Sequence, residues 1–99
     1  MEQVKASLDH TLRVCDDVVF RELDGEAVIL NLDTGIYFGL NDVGTRVWSL
    51  LKEHRSLRRV LEAMREEYDI PPEVLQTDLL RLVEQMQEKG LVRVSATGA

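Results

Sequence analysis

His10, His54 and Cys15 are the chain's only imidazole and thiol groups, and they do not form a catalytic set. The histidines are far apart and each lies in a polar stretch, which reads as surface placement rather than metal binding or proton transfer. Cys15 has no flanking nucleophile motif and reads as a small hydrophobe at a sheet margin. A lone cysteine also excludes an internal disulfide and a cysteine-based metal cluster. Glu62, Glu66 and Glu67 read as one solvated helix face. The glycines fall where turns, caps and close packing need them, not in a phosphate-cradling loop. Nothing here points to a reaction, a metal or a cofactor, and the chain reads as a non-enzyme.

The chemistry on offer is backbone chemistry. Ile36-Tyr37-Phe38-Gly39-Leu40 has the composition of a strand and contains neither charge nor proline. As the last strand of a meander it lies at an edge, where N–H and C=O groups lack partners. Three arrangements satisfy such an edge: cover by a helix, pairing with a second copy, or addition of a guest peptide. A guest gains about 0.5–1.5 kcal/mol per strand hydrogen bond and about 1.5–3 kcal/mol per buried apolar anchor. After ordering costs, that supports micromolar or tighter binding.

Val18 to Leu23 is rich in β-branched and aromatic residues, and Asp24-Gly25 predicts a type I′ turn. Glu26 to Leu32 forms the next strand, with Val28, Leu30 and Leu32 on one face. Asp33-Thr34-Gly35 predicts a three-residue hairpin loop with Gly35 in the left-handed region. Thr11 to Val14 adds extended structure ahead of this meander. Beyond Leu40 the apolar period lengthens to that of a helix. Asn41 caps a first helix with Val43, Val47, Leu50 and Leu51 on one face and Trp48 beside them. Ser56 caps a second, with Leu57, Val60, Leu61, Met64 and Tyr68 inside. Asp69-Ile70-Pro71-Pro72 ends it. The third helix buries Leu75, Leu79, Leu82, Val83 and Met86 and stops at Gly90. Leu91 to Val94 is a short extended end, set against the bundle or the sheet. The fold class is therefore α+β: a three-stranded antiparallel meander followed by a three-helix, winged-helix-like bundle. Residues 1–10 and 95–99 read as tails around one domain spanning 11–94.

The third helix supplies a wall for a groove beside the edge strand. Asp78 sits at the margin of its apolar stripe, with Val74, Arg81 and Gln85 on that flank. Asp78 suits a basic or amide group of a guest, or a local cap or bridge, and Arg81 suits an acidic group. A net charge of −6 disfavours nucleic acid and anionic lipid. The third helix carries Glu73, Asp78, Glu84 and Glu88 against Arg81 and Lys89, which argues against a DNA recognition helix. The basic cluster His54-Arg55-Ser56-Leu57-Arg58-Arg59 reads as a helix N-terminal surface or a docking patch. A plain oligomerisation module is the remaining rival. The start of the chain shows no signal peptide, and no apolar run reaches membrane-spanning length, so a cytoplasmic location is expected.

The ordered segments Leu23 to Asn41, Val43 to Trp48, Glu67 to Ile70 and Glu88 to Val92 resemble the PqqD-like family, over roughly residues 11 to 94. The segment Thr34 to Asn41 is closer to the general PqqD-like branch than to the founding quinone-pathway members. The resemblance implies a RiPP recognition element. Such domains hold the leader of a ribosomally made precursor peptide and present it to a modifying enzyme, such as a radical SAM enzyme or a leader peptidase. The pathways include pyrroloquinoline quinone and lasso-peptide biosynthesis. It implies that the leader adds as a strand to Ile36, Tyr37, Phe38 and Gly39, opposite Val74, Leu75, Asp78, Leu79, Arg81 and Leu82. A monomer or weak homodimer, without cofactor, nucleic acid or membrane, is expected.

Overall fold

A two-residue turn sets the register of the main sheet. In the computed structural model, which describes residues 7–24 and 26–96, Val18–Leu23 (β2) pairs antiparallel with Glu26–Asn31 (β3), and Leu23 lies opposite Glu26. Asp24 takes a φ of 55°, as the first central residue of a type I′ turn must. Gly25, the second, lies outside the described residues, as do residues 1–6 and 97–99 of the expected tails.

Tyr37–Leu40 (β4) pairs antiparallel with β3, giving the order β2-β3-β4. Five residues, Leu32 to Ile36, connect the two strands, two more than the spacing predicts, and the Asn31 amide donates to the Ile36 carbonyl at 2.9 Å. Asn31 organises this loop. Its side-chain Oδ1 accepts from the amides of Asp33 and Thr34 at 2.8 and 3.1 Å. The Gly35 amide donates to the Asn31 carbonyl at 2.8 Å, with Gly35 at a φ of 77°. Gly35 therefore holds the left-handed position expected of it.

The sheet buries the opposite face of β3 from the one its apolar pattern favours. Ala27, Ile29 and Asn31 are buried, whereas Val28 is 44% exposed and Leu32, now in the loop, 62% exposed. Val28, Leu30 and Leu32 do share a face, but it is the outer one. Every residue from Ala27 to Leu32 except Asn31 is apolar, so alternation could not choose between the faces. Ile29 lies between Phe20 and Phe38 in register, and Phe20 stacks on the buried Trp48 with ring centroids 6.2 Å apart. Two aromatics and the Asn31 hydrogen bonds outweigh the extra aliphatic surface.

The helices follow as the period predicts: Asp42–His54 (α1), Leu57–Glu67 (α2) and Pro72–Glu88 (α3). Asn41 Oδ1 accepts from the Gly44 amide at 2.8 Å, and Ser56 caps α2. Gly90, at a φ of 74°, closes α3. The Gly90 amide donates to the Gln87 carbonyl and the Leu91 amide to the Met86 carbonyl, at 3.0 and 2.9 Å. This is the double bond pattern of a glycine-terminated helix. Trp48, Leu50, Leu51, Leu57, Val60, Leu79, Val83 and Met86 form the core between bundle and sheet.

The chain's two ends meet. His10–Val14 (β1) pairs antiparallel with Val92–Ala96 (β5) as a separate two-stranded sheet, and Leu12 and Val92 are buried. The extended end after Gly90 therefore lies against β1 and does not pair with the β4 edge of the β2-β3-β4 sheet. His10, Ser95 and Ala96, which the sequence places in tails, are strand residues.

Candidate functional site

β4 is an edge strand among the described residues, paired on one side with β3 and with no described strand on the other. The Asn31-to-Ile36 hydrogen bond fixes which groups face which way. Alternate residues of a strand direct their N–H and C=O groups to opposite sides. Phe38, opposite Ile29, and Leu40, opposite Ala27, therefore bond inward to β3, while Tyr37 and Gly39 direct their N–H and C=O groups outward. The segment from Leu91 to Val94 does not pair with them, since Val92 to Val94 belong to β5 of the other sheet.

Beside this edge lies an apolar groove of about 290 Å³ between β4 and the three helices. β4 contributes Phe38, Gly39 and Leu40, and α3 contributes Leu75, Asp78, Leu79 and Leu82. A larger cleft, about 550 Å³, lies near the C-terminal end of α3, but it is lined mainly by polar and charged groups such as Asp16, Asp17, Asn31, Asp33 and Arg93. Only the first offers a free sheet edge and apolar walls together.

The structure brings together six of the ten residues singled out from sequence: Phe38, Gly39, Leu75, Asp78, Leu79 and Leu82. The other four stand outside the walls. Ile36 belongs to the loop, where its amide bonds the Thr34 hydroxyl at 3.2 Å. The Tyr37 side chain, 70% exposed, projects from the outer sheet face, although its backbone groups lie on the free edge. Val74 and Arg81 are exposed on α3 beyond the lining. Leu82, assigned to the core, is only half-buried because it borders the groove.

Sequence reading missed the groove's far end. Val43, Tyr68 and Ile70 line it, with Met64 and Val47 behind them. Val43 was expected on the packed face of α1 but is 49% exposed, since it overhangs the opening. Ile70 was read only as part of a helix break. An isoleucine ahead of two prolines cannot join either helix's stripe, and that was the available signal.

Arg46 clamps α1 to the end of α2 beside this wall. Its Nε and Nη2 donate to the two carboxylate oxygens of Glu67 at 2.7 and 2.6 Å, so Glu67 is more than a solvated carboxylate. The hydrogen bonds from Arg46 hold the Glu67 carboxyl below its ordinary range and raise Arg46. A depressed carboxyl contributes stability above the ordinary glutamate range and loses it as pH falls through the folded-state value. Exposure keeps that contribution small. Arg46→Ala is expected to move the Glu67 midpoint up, followed by carboxyl-carbon NMR titration. An unmoved midpoint would show that the clamp does not form in solution.

A three-stranded sheet with an open edge, facing a helix across an apolar groove, defines an α+β domain shaped to accept an added strand. The chain belongs to the PqqD family: the family described as Coenzyme PQQ synthesis protein D (PqqD) matches residues 26–92. It is similar at 34% identity and a TM-score of 0.76 to the solved structure described as TbiB1 in complex with the TbiA(beta) leader peptide. That match covers 88% of this chain and 96% of the other. The fold is also that of a lasso peptide synthetase B1 complexed with the leader peptide, with a TM-score of 0.75 at 23% identity over 83% of this chain and 96% of that one. No curated protein matches the chain. Among the described residues, no helix is long and apolar enough to cross a membrane, and no three His, Cys, Asp or Glu side chains group to hold a metal ion.

Proposed function

We propose that this protein is a RiPP recognition element. It captures the leader of a ribosomally made precursor peptide as a fourth strand on β4 and presents it to a modifying enzyme. The carrying observation is the free outward backbone of Tyr37 and Gly39 beside the apolar groove. The leader's backbone pairs with those groups, and alternate side chains enter the groove between β4 and α3. Phe38, Gly39, Leu75, Asp78, Leu79 and Leu82 make the contacts foreseen from sequence. Val43, Tyr68 and Ile70 join them as the pocket for an apolar anchor, and Ile36, Val74 and Arg81 meet the guest only at the margins. The domain does no chemistry on its cargo. The receiving enzyme, a radical SAM enzyme or a leader peptidase, acts on the peptide beyond the bound segment.

The ligand of the 34% identical relative, the TbiA(beta) leader peptide, is the first probe. Amide NMR of the labelled protein should show the largest shifts at Tyr37 to Leu40 and along the groove side of α3. Slowed hydrogen exchange at the Tyr37 and Gly39 amides should accompany them. Binding whose shifts fall on β1, β5 or the His54–Arg59 surface would overturn the assignment.

A further inference from the structure

Resting on that peptide-binding reading, we infer that Asp78 and Lys89 set the direction in which the guest lies. A guest antiparallel to β4 carries a basic residue first and an acidic residue four or six positions later.

Asp78 and Lys89 are eleven residues apart in sequence. At 100° per residue that is three turns and about 20°, so both fall on one stripe of the helix surface. Both reach the guest's path. Asp78 lines the groove, and the Lys89 ammonium lies 6.0 Å from the centroid of the Phe38 ring. Between them the stripe carries the half-buried Leu82 and the uncharged Gln85. The ion pairs among the described residues are Arg13–Asp16, Arg46–Glu67 and Arg58–Asp9, and none uses Asp78 or Lys89.

The fold gives this pair a polarity. The C-terminal end of α3 meets the start of β4: Lys89 lies over Phe38, and the Gly90 carbonyl accepts from Asn31, just before the loop into β4. The other end of β4, at Leu40, shares the groove with Ile70 and Leu75 at the start of α3. β4 and α3 therefore run in opposite senses. A strand added antiparallel to β4 runs along α3 from Asp78 towards Lys89. Antiparallel addition continues the pattern of the sheet and is the slightly more stable pairing.

Eleven helical residues rise about 16 Å, which an extended chain covers in about five residues. Only every second guest side chain faces the groove, so an even spacing is required. The long lysine side chain accommodates four or six. A guest of the opposite charge order brings like charges together at both ends, which penalises the reversed orientation.

The experiment is a display selection of random peptides of about 15 residues against the intact chain, repeated with D78K/K89D. Both positions are exposed, so the double variant is expected to fold, which circular dichroism and urea unfolding check before the selection. The parent should enrich Lys or Arg followed four or six residues later by Asp or Glu, and the variant the reverse order. Exchanging the two charges in a selected peptide should weaken parent binding about two- to fivefold per pair, the range for exposed ion pairs. Binders that share apolar anchors but show no charge order, or the same order for both proteins, would overturn the directional role and leave peptide capture standing. A selection that yields no binders at all would overturn both.

Discussion

Gly39→Pro should abolish most peptide binding while leaving the domain folded. Gly39 lies opposite Val28, with its N–H turned away from β3, so proline removes no bond of the existing ladder. Edge strands tolerate proline with the nitrogen facing outward. The residue before it, Phe38, is already extended, as a pre-proline residue must be. The guest strand loses one backbone donor and meets the pyrrolidine ring where its own backbone must approach. The expected result is a loss of more than tenfold in affinity for a leader peptide bound by the parent, measured by calorimetry, from the lost hydrogen bond and the displaced strand together. Gly39→Ala is the control. A Cβ added there meets nothing within 4 Å and leaves the amide in place, so affinity should stay within about threefold. A proline variant that binds as well as the parent would show that the guest does not pair with this edge.

Asn31→Ala should cause the larger loss of stability. The Asn31 side chain makes three hydrogen bonds: Nδ2 donates to the Gly90 carbonyl at 2.8 Å, and Oδ1 accepts from Asp33 and Thr34. It thus joins the loop that launches β4 to the cap that ends α3. Removing it leaves a partly buried carbonyl and two loop amides without their partner, at a cost of about 2–4 kcal/mol. Urea unfolding should show a lower midpoint at unchanged slope. Asn31→Asp separates the two roles. It keeps the acceptor for both loop amides, loses the donor to Gly90 and places a carboxylate beside that carbonyl. It should lose about 2 kcal/mol, and it should weaken peptide binding at temperatures where the domain remains folded, because β4 and α3 are no longer tied. Unchanged affinity in folded Asn31→Asp would remove the tie from any role in shaping the groove.

Asn31 also shows where local pattern stops being informative. Polar residues in strands ordinarily mark the solvent face, yet Asn31 lies on the buried face of β3, opposite the one shared by Val28, Leu30 and Leu32. Burial of Asn31 costs little here only because its partners come from the next loop and from a glycine 59 positions away in sequence. The outer face keeps apolar residues as a result. Val19, Leu30 and Tyr37 lie in register across it, beside Val28, and Val19, Val28 and Tyr37 are exposed on that surface.

The strands, their order and the three helices were legible because each rests on local chemistry. The turn residues Asp24, Gly35 and Gly90 demand positive φ, the caps Asn41 and Ser56 satisfy first-turn amides, and the prolines forbid continuation. The α3 wall was legible because a helix stripe is an internal period. Tertiary structure alone decided that β5 pairs with β1 rather than closing over β4, which of β3's two apolar faces is buried, and that Val43, Tyr68 and Ile70 meet around one groove. Each of those outcomes joins segments far apart in the chain. Their free energy comes from shared burial and hydrogen bonds that exist only once the elements have docked, and no window of the sequence contains both halves of such a contact.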